Sequence, residues 1–193
     1  EQTYRHLPQR QVFCYTTITM KLLIFGPGWL GRKFNEYFEG SVLSTVDITD
    51  YKAVVEELHK QNPDAVLNTA GKTGKPNIDW CEEHKIETLA SNVTGPQILL
   101  RATQEMGIHF THLSSGCIYE GDNGGKGLTE EDTPNFYGSF YSRTKIYAEE
   151  TLREFPVLIL RLRMPFDNKQ SERNLINKLL KYDKVISIPN SIT

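Results

Sequence analysis

The feature of the sequence that most restricts its fold is a regular alternation of short apolar runs with longer amphipathic stretches. The apolar runs have the length and residue types of strands and fall at residues 21–25, 42–45, 64–68, 108–113, 157–162 and 185–188. The stretches between them have helical spacing, at residues 28–38, 50–61, 80–106, 138–154 and 171–182. Strands that alternate with helices form a parallel sheet covered on both faces. We therefore predict an α/β fold with a doubly wound parallel sheet.

Glycine and proline residues mark the limits of several predicted elements. Pro63 and Gly107 each follow a predicted helix, and Pro156 separates the fourth helix from the next strand. Residues 120–135 are rich in glycine and polar residues and are predicted to form a loop.

Composition excludes several classes of protein. The net charge is −2, and the 22 Lys and Arg residues form no long basic run, so we do not expect nucleic-acid binding. The apolar runs are too short to span a bilayer, so no membrane segment is expected. The three cysteines, Cys14, Cys81 and Cys117, are odd in number and lack metal-ligand spacing. This indicates a reducing, cytoplasmic compartment and no bound metal.

The segment Gly26-Pro27-Gly28-Trp29-Leu30-Gly31 directly follows the first predicted strand and opens a helix. Such a turn aims free backbone N–H groups and the positive end of the helix dipole at a phosphate. Gly26 suits the tight turn, Gly28 the close approach of a pyrophosphate, and Gly31 the packing of helix on strand. These three glycines, with Trp29 and Leu30, are candidate dinucleotide contacts in a Rossmann fold. The alternative is a glycine turn that only packs.

The second predicted strand, Val42-Leu43-Ser44-Thr45, carries no carboxylate where an NAD-binding protein places its ribose-binding acid. Small hydroxyl groups tolerate a 2′-phosphate, so the sequence favours NADPH, with NADH left open. The following segment, Asp47-Ile48-Thr49-Asp50, is expected near the adenine, with Asp47 and Ile48 as candidate contacts. Alternatively, Asp47, Thr49 or Asp50 caps the next helix.

The segment Tyr141-Ser142-Arg143-Thr144-Lys145 lies on the fourth predicted helix. A spacing of four puts Tyr141 and Lys145 on one face, one turn apart. A phenol of pKa about 10 is a poor acid–base catalyst at neutral pH, and a nearby ammonium is expected to lower that pKa. Tyr141 is then the candidate proton donor to a carbonyl oxygen during hydride transfer, assisted by Lys145. Both residues are also candidate cofactor contacts, with Lys145 at the nicotinamide ribose. The alternative is a chance pair on a solvated helix.

The segment Leu113-Ser114-Ser115-Gly116-Cys117-Ile118-Tyr119 begins at the end of the fourth predicted strand. A hydroxyl at the carboxyl end of a parallel strand faces the ligand crevice, so Ser115 is a candidate to hold and polarise a substrate carbonyl. The alternative is a serine that only forms the turn.

These elements, in this order and spacing, resemble the extended short-chain dehydrogenase/reductases from Met20 to the end of the chain. The segments Leu67-Asn68-Thr69-Ala70-Gly71 and Ser91-Asn92-Val93-Thr94-Gly95 share the resemblance, as does Leu160-Arg161-Leu162-Arg163-Met164-Pro165. The resemblance implies that Asn68, Ala70 and Gly71 line the cofactor. It also implies that Asn92 supports the active site, a role compatible with that of a buried, helix-bending polar residue.

Four further segments resemble one branch, the reductase part of the nucleotide-rhamnose synthases. They are Gly74-Lys75-Pro76-Asn77-Ile78-Asp79-Trp80-Cys81-Glu82, Pro134-Asn135-Phe136-Tyr137-Gly138-Ser139-Phe140-Tyr141, Arg161-Leu162-Arg163-Met164-Pro165 and Ile188-Pro189-Asn190-Ser191. The branch implies reduction of a UDP- or dTDP-4-keto-6-deoxyhexose to a nucleotide-rhamnose, with 3,5-epimerisation. The epimerising base it implies is Cys117, and Lys178 is a candidate to return the proton. The alternatives are a small buried thiol and a solvated lysine.

The chain departs from that family in two places. Its glycine turn is one residue shorter than the family's Gly-x-x-Gly-x-x-Gly, and family members continue well beyond Thr193. We expect residues 1–19 to be a disordered or non-native extension and residues 20–163 to be the NAD(P)-binding Rossmann domain. Residues 164–193 are expected to begin an incomplete C-terminal substrate lobe.

Two other functions stay open on the sequence. One is a non-catalytic NADP-binding module that resembles the regulatory subunit of methionine adenosyltransferase. The other is an inactive fragment. Retention of Ser115, Tyr141 and Lys145 favours the enzyme, and a homodimer is compatible with the resemblance.

Overall fold

A computed structural model describes residues 20–75 and 77–184 of the chain; the predicted extension 1–19 and the predicted strand 185–188 lie outside them. The strands are β1 Leu22–Phe25, β2 Val42–Ser44, β3 Ala65–Asn68, β4 His109–Ser115 and β5 Val157–Leu162. The helices are α1 Trp29–Tyr37, α2 Tyr51–Gln61, α3 Trp80–Glu83, α4 Lys85–Leu89, α5 Gly95–Glu105, α6 Phe140–Leu152 and α7 Leu175–Leu179. A π-helical turn, Ala90–Thr94, joins α4 to α5, and a 3₁₀ turn, Gly116–Ile118, follows β4.

All five strands run parallel, in the order β2-β1-β3-β4-β5. The order reverses direction at β1, so the carboxyl ends of β1 and β3 flank a crevice at the place where open α/β sheets bind ligands. The predicted doubly wound parallel sheet is confirmed.

The sheet has an apolar core on each face. On one face Phe25, Val66 and Phe110 are fully buried together with residues of α2, α5 and α6. On the other, Ile24 and Leu67 pack with Leu30 and Phe34 of α1. Because consecutive residues of a strand point to opposite faces, strands buried on both sides are apolar at nearly every position.

The predicted helix at 80–106 is not continuous. It breaks at His84, which has non-helical dihedrals (φ −118°, ψ 51°), and again at the π-helical turn. At the second break, the side chain of Asn92 forms hydrogen bonds with Lys72, twenty residues earlier. Hydrophobic periodicity describes neighbouring residues only, so it could not predict this break.

The predicted helix at 171–182 is reduced to the five residues of α7. Asn174 caps this helix by accepting a hydrogen bond from the N–H of Ile176 at 3.0 Å. Its amide donates to the backbone oxygens of Asp167 and Lys169, each at 2.8 Å, so the residues before it form a turn.

The described residues after β5 contact α1, the segment after β3 and the 3₁₀ turn after β4, where Arg163 donates to the carbonyl of Gly116 at 3.1 Å. The ammonium of Lys33 on α1 lies 2.8 Å from the carboxylate of Asp167. The guanidinium of Arg173 donates to the hydroxyl of Thr73 at 3.1 Å. Between residues 20 and 184, Pro76 excepted, no helix is long and apolar enough to cross a membrane.

Candidate active site

The glycine turn after β1 is shaped by contact with the end of β3. Gly26 has φ +100°, and a Cβ at this position would overlap the backbone of Ala70. A Cβ on Gly31 would overlap the carbonyl oxygen of Gly26 and lie 2.7 Å from the hydroxyl of Thr69. These two glycines therefore fulfil the predicted roles in the tight turn and in helix packing.

The start of α1 leaves room for a ligand. A Cβ on Gly28 would meet nothing within 4 Å, and no side chain caps the helix there. The first turn contains no acidic residue, so its free N–H groups and positive dipole end are not offset by a carboxylate. Trp29 is half-buried, and Leu30 packs against the core below. The turn has the shape and polarity that a pyrophosphate requires.

The segment after β3 is held by side chains on neighbouring strands. Asn68 is fully buried, its Oδ1 accepts from the N–H of Ala70 at 2.9 Å, and its amide donates to Nδ1 of His112 at 3.0 Å. The hydroxyl of Thr69 donates to the carbonyl oxygen of Gly26 at 2.8 Å. The end of β3 and the glycine turn therefore form one rigid edge of the crevice.

Asn92 connects this edge to the helix of the predicted catalytic pair. Its Oδ1 accepts from the N–H of Lys72 at 2.7 Å, and its Nδ2 donates to the Lys72 carbonyl at 3.0 Å and to the Thr144 hydroxyl at 3.2 Å. Asn92 lies in the π-helical turn, a distortion that occurs frequently at functional sites. Gly71, one residue before Lys72, lies beside the ammonium of Lys145, since a Cβ there would be 3.9 Å from its Nζ.

Ser115, Cys117 and Tyr141 meet at the carboxyl end of β4. The hydroxyl of Ser115 accepts from the N–H of Cys117 at 3.1 Å and lies close enough to the phenol of Tyr141 to lower its pKa. The carbonyl of Cys117 accepts from the hydroxyl of Ser142 at 2.8 Å, which fixes the 3₁₀ turn against α6. The Cys117 sulfur lies close enough to Tyr141 that its negative charge, when ionised, raises the pKa of the phenol.

Lys145 is buried on the next turn of α6. Its ammonium donates to the carbonyl oxygen of Leu113 at 2.9 Å. Burial lowers the pKa of Lys145 to about 8, and the carboxylate of Glu149 offsets part of this effect. The lysine is therefore a cation at neutral pH with a proton that is held less firmly than usual.

The expected effect of Lys145 on the phenol is not found. Burial raises the pKa of Tyr141 to about 12, and the hydrogen bond from Ser115 lowers it only in part. The phenol is only 8% exposed, while the ammonium is engaged by a strand carbonyl, so desolvation of the phenolate dominates. Tyr141 consequently carries its proton throughout the neutral range.

Near the end of β2, the two candidate adenine contacts differ. The side chain of Asp47 is exposed and accepts from the N–H and hydroxyl of Thr49 at 2.9 and 2.8 Å. These bonds hold the pKa of Asp47 below its usual value. The side chain of Ile48 is 4% exposed and packs in the core against Gly95. Asp50 is the cap of α2, accepting from the N–H of Ala53 at 3.1 Å, which confirms the capping alternative for this residue.

Lys178, the candidate to return the proton, lies on α7. It is exposed on α7 and lines a cavity of about 780 Å³ together with Lys75, Arg173 and Lys181. The predicted role of Lys178 in returning a proton is therefore not reflected in a contact with Cys117. Residues 20–75 and 77–184 contain no group of three or more metal-ligating side chains.

Two buried groups next to the site were not singled out from the sequence. Glu149, one turn beyond Lys145, is fully buried and is bound by Arg161 of β5. His112 is fully buried next to Asn68, and its pKa is held well below the usual value by burial and by the charge of Lys145. Glu149 follows Lys145 by four residues, just as Lys145 follows Tyr141, so all three lie on one face of α6. This spacing was the signal that could have revealed Glu149.

Fold and site together define a Rossmann-type protein with a serine–tyrosine–lysine arrangement beside a glycine turn for a dinucleotide. The chain belongs to the NAD dependent epimerase/dehydratase family, whose model matches residues 27–170.

Its relatives include proteins of rhamnose-nucleotide metabolism. The chain is 40% identical over 187 residues to a bifunctional dTDP-4-dehydrorhamnose 3,5-epimerase/dTDP-4-dehydrorhamnose reductase of Arabidopsis thaliana, covering 91% of this chain and 62% of the relative. The crystal structure of a UDP-rhamnose synthase from Acanthamoeba polyphaga mimivirus is similar, with a TM-score of 0.80 and 36% identity over 86% of this chain and 63% of that one. A dTDP-4-dehydrorhamnose reductase from Clostridium acetobutylicum shares the fold, with a TM-score of 0.70 at 24% identity, over 84% of this chain and 59% of that one. The chain thus spans about 62% of the length of the first of these relatives.

Proposed function

We propose that the protein takes part in NADPH-dependent reduction of a nucleotide-linked 4-keto-6-deoxyhexose to a nucleotide-rhamnose, with epimerisation at carbons 3 and 5. The observation that carries this proposal is the meeting of Ser115 and Tyr141 at the end of β4, with Lys145 on the next turn of α6. The relatives named above are reductases and epimerases of rhamnose nucleotides, which supports the substrate class.

The residues present fit a dinucleotide cofactor. Gly28 leaves open space at the start of α1 for a pyrophosphate, and the Lys145 ammonium, which lies beside Gly71, is the group to bind the nicotinamide ribose. Asn68 fixes the N–H of Ala70, whose backbone lies against Gly26 of the glycine turn. β2 ends at Ser44, which is buried, and exposed Thr45 follows it, while the nearby carboxylate of Asp47 accepts from Thr49; this favours the 2′-phosphate of NADPH over NADH. When bound, the cofactor supplies the hydride.

In the reduction, Tyr141 donates its proton to the carbonyl oxygen while carbon 4 receives the hydride. A phenol that keeps its proton to about pH 12 is present in the protonated form that this direction of reaction needs. Ser115 holds the carbonyl oxygen through its hydroxyl, and the same hydroxyl stabilises the phenolate left on Tyr141.

Epimerisation uses the acidity of hydrogens next to a ketone. The thiolate of Cys117 removes the proton from carbon 3 or 5, the electron pair moves into the enolate, and Tyr141 or Ser115 stabilises the oxygen. Reprotonation on the opposite face completes the inversion, and Lys178 stays a prediction for that step. Cys117 is half-buried, and its N–H donates to the hydroxyl of Ser115. It therefore lies next to the group that holds the carbonyl, where a base acting on the neighbouring carbons is needed.

The reduction is tested by measuring NADPH oxidation with UDP- and dTDP-4-keto-6-deoxyglucose. Tyr141→Phe should lower the rate at least 100-fold, on the order expected for a general acid, and should leave NADPH affinity unchanged. Tyr147→Phe is the matched control, because Tyr147 lies on the same helix but is 41% exposed. NADPH binding without turnover of either sugar would favour the regulatory module instead.

The epimerisation is tested separately by solvent exchange. In D₂O, the protein should introduce deuterium at carbons 3 and 5 of the keto-sugar, as read by NMR. Cys117→Ala should abolish this exchange. Cys81→Ala should not, because Cys81 is fully buried and burial raises the pKa of its thiol. Exchange that survives in Cys117→Ala would assign the base elsewhere.

A further inference from the structure

The imidazole of His112 is buried at the edge of the crevice and has no part in the proposed reaction. It is fully buried on β4, directly beside Asn68, the last residue of the neighbouring strand β3. Its Nδ1 lies 3.0 Å from Nδ2 of the Asn68 amide. A buried polar ring costs free energy unless it is hydrogen-bonded, so this contact determines how the ring is held.

The orientation of the Asn68 amide follows from its other neighbour, Ala70. The backbone N–H of Ala70 can only donate, and its nitrogen lies 2.9 Å from one end of the amide, which must therefore be the oxygen Oδ1. The other end is then the NH₂ group, a donor, and it points at Nδ1 of His112. Nδ1 must accept this bond, so the proton of the neutral ring is on Nε2.

The second ring nitrogen of His112 leaves this choice of tautomer to Asn68. Nε2 has no hydrogen-bond partner in the part of the chain that the structure describes, so no other group selects the position of the proton. A doubly protonated ring would present an N–H to the NH₂ group of Asn68, and two donors would meet. Burial and the charge of Lys145 oppose that form, since they hold the pKa of His112 well below its usual value. The ring is therefore a neutral acceptor at neutral pH.

The amide that His112 holds acts on the backbone beside the glycine turn. Gly26 lies so close to this backbone that a Cβ on it would be 2.4 Å from the nitrogen of Ala70. If the Asn68 amide rotated by half a turn, its NH₂ group would face the N–H of Ala70. Both would then be buried donors without an acceptor, and the segment against the glycine turn would have to shift.

We propose that His112 is a positioning residue for the cofactor, because its Nε2–H tautomer holds the Asn68 amide in the orientation that accepts the N–H of Ala70. The inference rests on the proposed function, since it assigns the effect to NADPH binding at the glycine turn. His112 acts through Asn68 and is itself fully buried, so it is not a catalytic residue.

The test compares two substitutions of similar size by calorimetric titration with NADPH. His112→Leu removes the acceptor and leaves the NH₂ group of Asn68 buried and unpaired, so NADPH should bind about tenfold more weakly. His112→Asn carries an amide oxygen on Cγ, where the ring carries Nδ1, and should restore the affinity to within about threefold of the wild type. Equal NADPH affinity of the two variants, or wild-type affinity in His112→Leu, would overturn the proposal.

Phe110→Leu is the control for a general loss of stability. Phe110 is fully buried on the same strand and has no polar group to offer Asn68. This variant should lower the melting temperature and leave NADPH affinity unchanged. A loss of affinity in Phe110→Leu equal to that in His112→Leu would assign the effect to packing of β4, against the proposal.

The tautomer is measured without relying on a substitution that could impair folding. In the ¹⁵N-labelled wild-type chain, the ring resonances of His112 should show a protonated Nε2 and an unprotonated Nδ1, and they are identified by their absence in His112→Asn. A ring protonated at Nδ1 contradicts the proposal. Neither measurement uses a keto-sugar, so a wild type that binds NADPH but reduces no sugar overturns the proposed reduction and leaves the result for His112 intact.

Discussion

The carboxylate of Glu149 is fully buried, and the guanidinium of Arg161 lies against it, with Nη2 2.8 Å from Oε2 and Nε 3.0 Å from the same oxygen. Arg161 also donates to the carbonyl of Glu130 at 2.9 Å and lies over the ring of Tyr119. The pair thus fastens α6, the helix of Tyr141 and Lys145, to β5 and to the loop that follows β4.

Breaking this pair from one side should strongly destabilise the protein. Glu149→Gln or Arg161→Met leaves one charged or polar partner buried and unpaired, and we expect a loss of about 3–5 kcal/mol in the free energy of unfolding. The double variant Glu149→Leu/Arg161→Met should recover much of that loss, because no uncompensated charge remains. Urea unfolding measures both. Glu56→Gln, from an exposed pair with Lys52, should cost about 0.5 kcal/mol or less.

The buried lysine should make stability depend on pH. The folded pKa of Lys145, about 8, lies below the unfolded value of 10.5, so the unfolded state binds more protons between these pH values. Stability must therefore rise with pH through this window. Between pH 7.5 and 9.5 we expect the wild type to gain about 2 kcal/mol relative to Lys145→Met, measured by urea unfolding at each pH. Parallel curves for the two proteins would show that Lys145 is not desolvated.

Two glycines of the first turn should respond differently to the same substitution. In Gly31→Ala the new methyl group meets the carbonyl of Gly26, so we expect a loss of about 1–3 kcal/mol in stability. In Gly28→Ala the methyl group enters open space, so the melting temperature should change little while NADPH affinity falls. Thermal unfolding with and without NADPH measures both effects. If Gly28→Ala binds NADPH normally, the pyrophosphate does not approach this residue.

The Asn92 amide should control the order of the segment after β3. Asn92→Ala removes its bonds to both backbone groups of Lys72 and to the hydroxyl of Thr144. We expect faster hydrogen exchange at the Lys72 amide and a loss of about 1–3 kcal/mol in stability. Gln97→Ala serves as control, since Gln97 lies on α5 and its amide donates a single long hydrogen bond within the described residues, to the hydroxyl of Thr151 at 3.4 Å. Unchanged protection of the Lys72 amide in Asn92→Ala would contradict this role.

Most of the fold could be predicted from the sequence because its signals are local. Each signal is formed by residues that lie close together in the sequence. This holds for the glycine turn, for the alternation of strands and helices, and for the spacing of Tyr141 and Lys145. The break in the predicted helix 80–106 could not, since Asn92 bonds to Lys72, twenty residues earlier. The same is true of the pKa of Tyr141, which depends on burial beneath elements far apart in the sequence. What remained hidden were consequences of packing between elements.

The π-helical turn also explains how one stretch of chain serves two partners. A π turn holds more residues per turn than an α-helix, so side chains on either side of it follow two different phases around the helix axis. Asn92, within the π turn, faces the segment after β3. Leu99 and Ala102, beyond the π turn, are fully buried in the sheet core. Deleting one residue between positions 90 and 94 would merge the two phases. The helix could then either bring Asn92 to the segment after β3 or bury Leu99 and Ala102 against the sheet, but it could not do both.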